Sequence, residues 1–158
     1  GAFGGRAEVM DQFDPTRATP LWQSGTFNGN LITMIAGVAA MTGFDQAEVE
    51  RINALGDRLR NGLRQALAAH DVRAAVTGFG SMVGVHIGVD EVTSYRQAAR
   101  ARGDLGRLLH LSLLLDGVFC APRLMWCTST AMDEAMIDDV LARAERSISR
   151  VRRALMDA

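Results

Sequence analysis

The chain has 158 residues, 48% hydrophobic and 22% charged, with a formal net charge of −1. These values suit a folded chain with a real core, and they exclude a disordered chain and a general nucleic-acid binder, which is normally basic. No apolar run reaches the ~18 residues of a bilayer span, and no basic segment precedes an apolar one at the N-terminus, so a cytoplasmic chain with no membrane partner is expected.

Residues 1–30 are glycine- and turn-rich, with Asp14-Pro15 and Asn28-Gly29 as turn signals. A short helix is predicted over Arg6–Phe13, and the rest of the stretch reads as strand and loop. From Leu31 to Met41 apolar residues occupy most faces, which predicts a buried helix with Asn30 near its start. A second helix is predicted from about Gln46 to Ala69, because Val49, Ile52, Leu55, Leu59, Leu63 and Leu67 step by three or four. Val72–Val76 and Ser81–Gly88 read as strands around Thr77-Gly78-Phe79-Gly80, with Val83, Val85 and Ile87 alternating along the second. Asp104–Leu115 is a leucine-rich helix stopping at Gly117. Val118–Cys120 and Met125–Thr128 are predicted strands around Ala121-Pro122-Arg123, and a last helix runs from Asp133 to about Leu155. From residue 46 onward this order predicts an α+β unit with helices on one face of a mostly antiparallel sheet.

Three groups of residues attract a chemical reading. Ser24-Gly25-Thr26-Phe27-Asn28-Gly29-Asn30 lies just ahead of a helix. Its glycines let amides converge and Thr26 adds a hydroxyl, which suits a phosphate or carboxylate. A plain turn with Asn30 as helix cap explains the same residues, and no Gly-Lys-Ser/Thr makes it a P-loop. Arg123 stands in an otherwise uncharged apolar segment, Val118–Trp126. Burial there would require a partner, either a bidentate carboxylate ligand or an acid of this chain. His70, His86 and His110 lack metal-ligand spacing and are assigned to structure, with no metal site expected. Cys120 and Cys127 read as two small core residues rather than a disulfide framework, in keeping with a reducing compartment. Every one of the 17 Lys+Arg residues is an arginine. A lysine Schiff base therefore cannot be made by this chain, and no catalytic residue is assigned in it.

In order, GAFGGR, QSGTFNGN with its small-residue helix, TGFGSM and LLLDGVFCAPR resemble the C-terminal part of the class III pyridoxal-phosphate aminotransferases. The likeness falls in the branch of glutamate-1-semialdehyde aminomutase and β-amino-acid aminotransferases and covers essentially the whole chain. It implies a fold-type-I transferase, with residues 1–45 ending the large cofactor domain and 46–158 forming the small α+β domain. It implies pyridoxal 5'-phosphate as cofactor and an amino acid and a keto acid as substrates, in a homodimer. Carried over residue by residue, Gly25 and Thr26 meet the cofactor phosphate of the neighbouring subunit, and Arg123 meets a substrate carboxylate. The family's lysine lies upstream of GAFGGR, so the chain is expected to be a C-terminal fragment, inactive by itself. Arg123 and Met125-Trp126 stand where the aminomutases carry a small polar residue and a Phe-Glu pair, which favours the amino-acid transaminase over the aminomutase. A non-catalytic α/β module that binds a partner protein is the alternative of another class.

Overall fold

The computed structural model describes residues 3–156. They form two compact units that divide between Asp45 and Gln46.

The first unit opens with helix α1 (Ala7–Met10) and a 3-10 turn over Asp11–Phe13. Phe3 packs edge-on against Phe13, with ring centroids 5.5 Å apart. Asp14 Oδ1 accepts from both the amide and the hydroxyl of Thr16 at 2.8 Å, an Asx-type turn around Pro15. The expected strand is not formed between residues 3 and 30, where loops and turns follow the short helix. Helix α2 (Leu31–Gly43) is capped by Asn30, whose Oδ1 accepts the Thr33 amide at 3.1 Å. The sequence predicts burial for this helix, yet none of its residues is buried, and Ile32 is 77% exposed. Among the described residues its own unit has no other helix longer than the four residues of α1 to cover that apolar surface.

The second unit holds helix α3 (Gln46–Ala69), strands β1 (Ala74–Thr77) and β2 (Met82–Ile87), and the short helix α4 (Tyr95–Ala98). Helix α5 (Gly103–Leu115), strand β3 (Met125–Cys127) and helix α6 (Glu134–Met156) complete it. The sheet order is β1-β2-β3 and both pairs are antiparallel, with Val76 opposite Val85 and Val83 opposite Trp126. Period-two alternation sends Val83, Val85 and Ile87 into the core and leaves Gly84 and His86 on the opposite face. Leu55, Leu59 and Leu63 of α3, Leu109 and Leu113 of α5, and Ile137 and Ile148 of α6 cover the inner face.

Two helices stop by the same device. After α3, Asp71 takes a left-handed conformation (φ 57°), and the Val72 amide reaches the Leu67 carbonyl at 2.9 Å. After α5, Gly117 (φ 78°) plays that part, and the Val118 amide reaches the Leu113 carbonyl at 2.8 Å. The Thr77–Met82 turn is bolted to α3. Gly78 and Gly80 have positive φ, and a Cβ at Gly56 would overlap the Gly80 carbonyl oxygen. Arg60, only 5% exposed, donates through Nη1 to the carbonyls of Gly80 and Met82 at 2.6 and 2.7 Å.

Two further expectations need correction. Val118–Cys120 is not a strand: its residues pair with no neighbour, and the one bridge nearby joins Ala121 to Met125. Cys127 is exposed while Cys120 is buried, because consecutive β3 residues point to opposite sides and Trp126 takes the inward place.

Candidate functional site

Gly25 and Thr26 belong to the first unit. The Asn28 amide closes a turn on the Gly25 carbonyl at 2.9 Å, and the Asn30 amide closes another on Phe27 at 3.1 Å. Gly29, at φ 68°, allows the second to follow the first directly. A Cβ on Gly25 would stand 3.0 Å from Asn28 Oδ1, so glycine keeps this turn tight. The loop is exposed, and among the described residues the Thr26 amide and hydroxyl have no hydrogen-bond partner. These free donors, just ahead of the α2 N-terminus, fit one phosphate of a cofactor. Nothing in the chain fits a cofactor's aldehyde carbon, because there is no lysine.

Arg123 belongs to the second unit, at the tip of the turn joining Ala121 to Met125. The Leu124 amide donates to the Ala121 carbonyl at 2.8 Å, and the Ala121 amide to Met125 at 3.0 Å. Leu124 closes this turn in the left-handed region (φ 57°), unusual for a branched apolar residue and costing roughly 1–2 kcal/mol. Its side chain is 1% exposed, and its carbonyl accepts the Val85 amide at 3.0 Å, so core and sheet hold it there. Arg123 is consequently lifted into solvent. The burial expected from its apolar neighbours is not found, because Leu124 and Trp126 turn inward while Arg123 turns outward. Its Nη2 rests on the Met125 sulfur at 3.3 Å, and no acid among the described residues pairs with it.

Beside this turn runs a groove of about 380 Å³, lined by His86, Tyr95, Ala98, Arg102, Gly106 and Arg123 among others. Arg102 is already committed, its fork meeting Asp104 at 3.1 and 2.8 Å and holding that carboxyl down to about 2. His86 Nε2 lies 3.1 Å from the Thr77 hydroxyl, and burial lowers its pKa, favouring the neutral ring. The sequence reading left His86 and Tyr95 out of any site. The alternation that buries Val85 and Ile87 was the available signal, since it places His86 on the face away from the core. His110 and Cys120 meet inside the protein at 3.6 Å, and burial pushes the thiol up to about 11, far from a reactive thiolate. Among the described residues no three His, Cys, Asp or Glu side chains converge as metal ligands, and no helix is long and apolar enough to cross a membrane.

An apolar helix after a glycine loop, then helices over an antiparallel three-stranded sheet, is an arrangement this chain shares with solved fold-type-I transaminases, matching about a third of their length. The chain belongs to the class-III aminotransferases, whose family model ("Aminotransferase class-III") matches residues 1–137. The beta-phenylalanine transaminase of Variovorax paradoxus is 38% identical over 143 residues, 90% of this chain and 33% of that protein. A crystal structure of a beta-phenylalanine aminotransferase from the same organism superposes with a TM-score of 0.84, at 35% identity over 96% of this chain and 35% of the other. Glutamate-1-semialdehyde 2,1-aminomutase 2 of Staphylococcus saprophyticus is 31% identical over 153 residues, 96% of this chain and 35% of that enzyme. A transaminase solved with pyridoxal phosphate bound has a TM-score of 0.79 at 28% identity, over 96% of this chain and 35% of that one. The chain thus spans about one third of the length of the relatives it matches. Pyridoxal 5'-phosphate is the cofactor of the family.

Proposed function

We propose that the chain is the C-terminal part of an enzyme that transfers an amino group between an amino acid and a keto acid, residues 1–45 ending its cofactor domain and 46–158 forming its small domain. The observation carrying this reading is Arg123, a guanidinium with no acid partner among the described residues, raised on a rigid turn in a chain of this family. Its planar fork offers two parallel hydrogen bonds to a substrate carboxylate, and a β-amino acid is the substrate class suggested by the Variovorax relative. Thr26 donates its hydroxyl, and the Gly25-Thr26 backbone its amide, to a phosphate oxygen of the cofactor seated in the other subunit of a homodimer. The bound cofactor supplies the electron sink. With no lysine, these residues bind and orient but do not hold the cofactor covalently. Two free cysteines, one of them exposed, are in keeping with a reducing cytoplasm.

In the full-length protein, Arg123→Lys is expected to lower kcat/KM for the acid substrate about 10- to 150-fold, mainly through KM, with cofactor binding unchanged. Loss of folding with full activity per folded molecule would make Arg123 structural. The aminomutase is the second reading, kept open by the staphylococcal relative's coverage of 96% of the chain. Assay of the full-length protein with glutamate-1-semialdehyde against a β-amino acid and a keto acid separates the two.

A further inference from the structure

The face of the sheet turned away from the core has a composition of its own. Val83, Val85 and Trp126 alternate inward, so β2 presents Met82, Gly84 and His86 on the outer face, and β3 presents Met125 and Cys127. Met82, Met125 and Cys127 all carry sulfur, and the strand register brings them together. Cys127 stands directly opposite Met82, and Met125 opposite Gly84. The Thr128 amide reaches the Ser81 carbonyl at 2.9 Å and the Val85 amide the Leu124 carbonyl at 3.0 Å. Met82 and Cys127 therefore form one of the pairs without mutual hydrogen bonds, whose Cα atoms stand only about 4.5 Å apart. Met125 follows on the same face two residues from Cys127, about 7 Å along the strand. Gly84 puts no side chain among the three, and flexible methionine stems cover such spacings. Met82 is 51% exposed, Cys127 is exposed and in no disulfide, and Met125 is partly exposed. Neither β2 nor β3 contains an aspartate or glutamate, and His86 Nε2 is already engaged with Thr77. One thiol and two thioethers without a carboxylate make a soft donor set, which among the common cellular metals selects copper(I).

We propose that Met82, Met125 and Cys127 bind one soft monovalent cation, copper(I) in a reducing cell, on the outer face of the sheet. The S–H bond of Cys127 breaks, its proton passes to solvent, and a sulfur–metal bond forms with no change of oxidation state. The two thioethers donate lone pairs and release no proton. At Met125 the ion replaces the Arg123 Nη2 contact of 3.3 Å, and that exposed guanidinium turns to water instead. The site is separate from the amino-transfer reading and does not depend on it.

Silver(I) is the probe, because it shares the filled d shell of copper(I) and is stable in air. Titrated into the chain, it should bind as one ion, release one proton, and shift the Met82 and Met125 methyl signals. It should also block the reaction of Cys127 with an aromatic disulfide reagent, while Cys120, 3% exposed, stays out of reach of both. Copper(I), kept reduced with ascorbate, should compete for the same site. Cys127→Ser should abolish binding. Met82→Leu and Met125→Leu, which keep side-chain volume, should each weaken it at least about 10-fold with circular dichroism unchanged. Met136→Leu, at an equally exposed methionine of α6, should leave it as it was. Zinc(II), which favours nitrogen and several thiolates, should bind at least about 10-fold more weakly than silver(I). Binding that survives both Met82→Leu and Met125→Leu reduces the site to a single thiol and overturns the proposal. Equal affinity for zinc(II), or no binding of silver(I), overturns it too.

Discussion

Helices α2 and α5 each have 13 residues and each is rich in leucine, isoleucine, valine or methionine. Their fates differ completely. Helix α5 buries Leu105, Leu109 and Leu113 against the sheet and α6, whereas α2 buries none of its residues. The lesson is that apolar composition states a demand for cover without saying what supplies it. In the second unit the supply is encoded a few dozen residues away, by β2 and the α6 stripe. In the first unit the described residues contain no such stretch, and the helix shows Leu31, Ile32, Ile35 and Val38 to solvent, Ile35 61% exposed.

The contrast is sharpest in core truncation. Leu113→Ala should cost about 2–5 kcal/mol in a denaturant titration, since Leu113 is 1% exposed at the centre of the core. Ile35→Ala should change unfolding by no more than about 0.5 kcal/mol. Instead it should reduce self-association in sedimentation, because the exposed face of α2 is large enough to drive contacts between copies. If Ile35→Ala destabilises the chain as much as Leu113→Ala, the two helices are not different in kind.

Glycine substitutions sharpen the same comparison at smaller scale. Gly56→Ala, although it favours helix formation, should destabilise by about 1–3 kcal/mol, because the new methyl collides with the Gly80 carbonyl. Gly43→Ala at the end of α2 meets nothing within 4 Å and should be neutral or mildly stabilising. Gly117→Ala at the end of α5 lies between these, about 1 kcal/mol destabilising, because its φ of 78° is left-handed. Thermal melts of the three variants test the order.

The smallest effect is one of pH. Arg150, then Ser147, lowers the Asp116 pKa, the Arg150 fork reaching it at 2.9 and 3.0 Å. A carboxyl depressed in the folded state adds stability above its ordinary pKa and loses it as pH falls through the lowered value. Unfolding followed from pH 6 to pH 2 should therefore show a loss that flattens in Asp116→Asn.

Much of the second unit was legible in the sequence because its helices and β2 carry clean periods, so their existence and inward faces followed from spacing alone. Helix α4 was missed, being only four residues long, with Ser94 as a modest cap. Val118–Cys120 looked like a strand because its residues are apolar, but a strand also needs a paired neighbour, and pairing is a long-range property. For Arg60 of α3, nothing local shows that it reaches the carbonyls of a turn twenty residues on. Arg123 was expected in a buried environment and stands in an exposed one. Its neighbours' apolarity suggested burial, while the left-handed Leu124 that sends it outward leaves no mark in composition. The loop around Gly25 and Thr26 was legible as a turn, and its free donors became visible only with the hydrogen bonds around them.

Leu124 has a consequence for how this protein can change. One residue closes the turn, plugs the core and lends its carbonyl to the sheet, so the turn cannot be lengthened or shortened without dismantling the interior beneath it. Variation at this turn is therefore channelled into side-chain identity at positions 122, 123 and 125. Insertion is closed at this turn, and a library that randomises side chains there should keep more folded members than one that varies length.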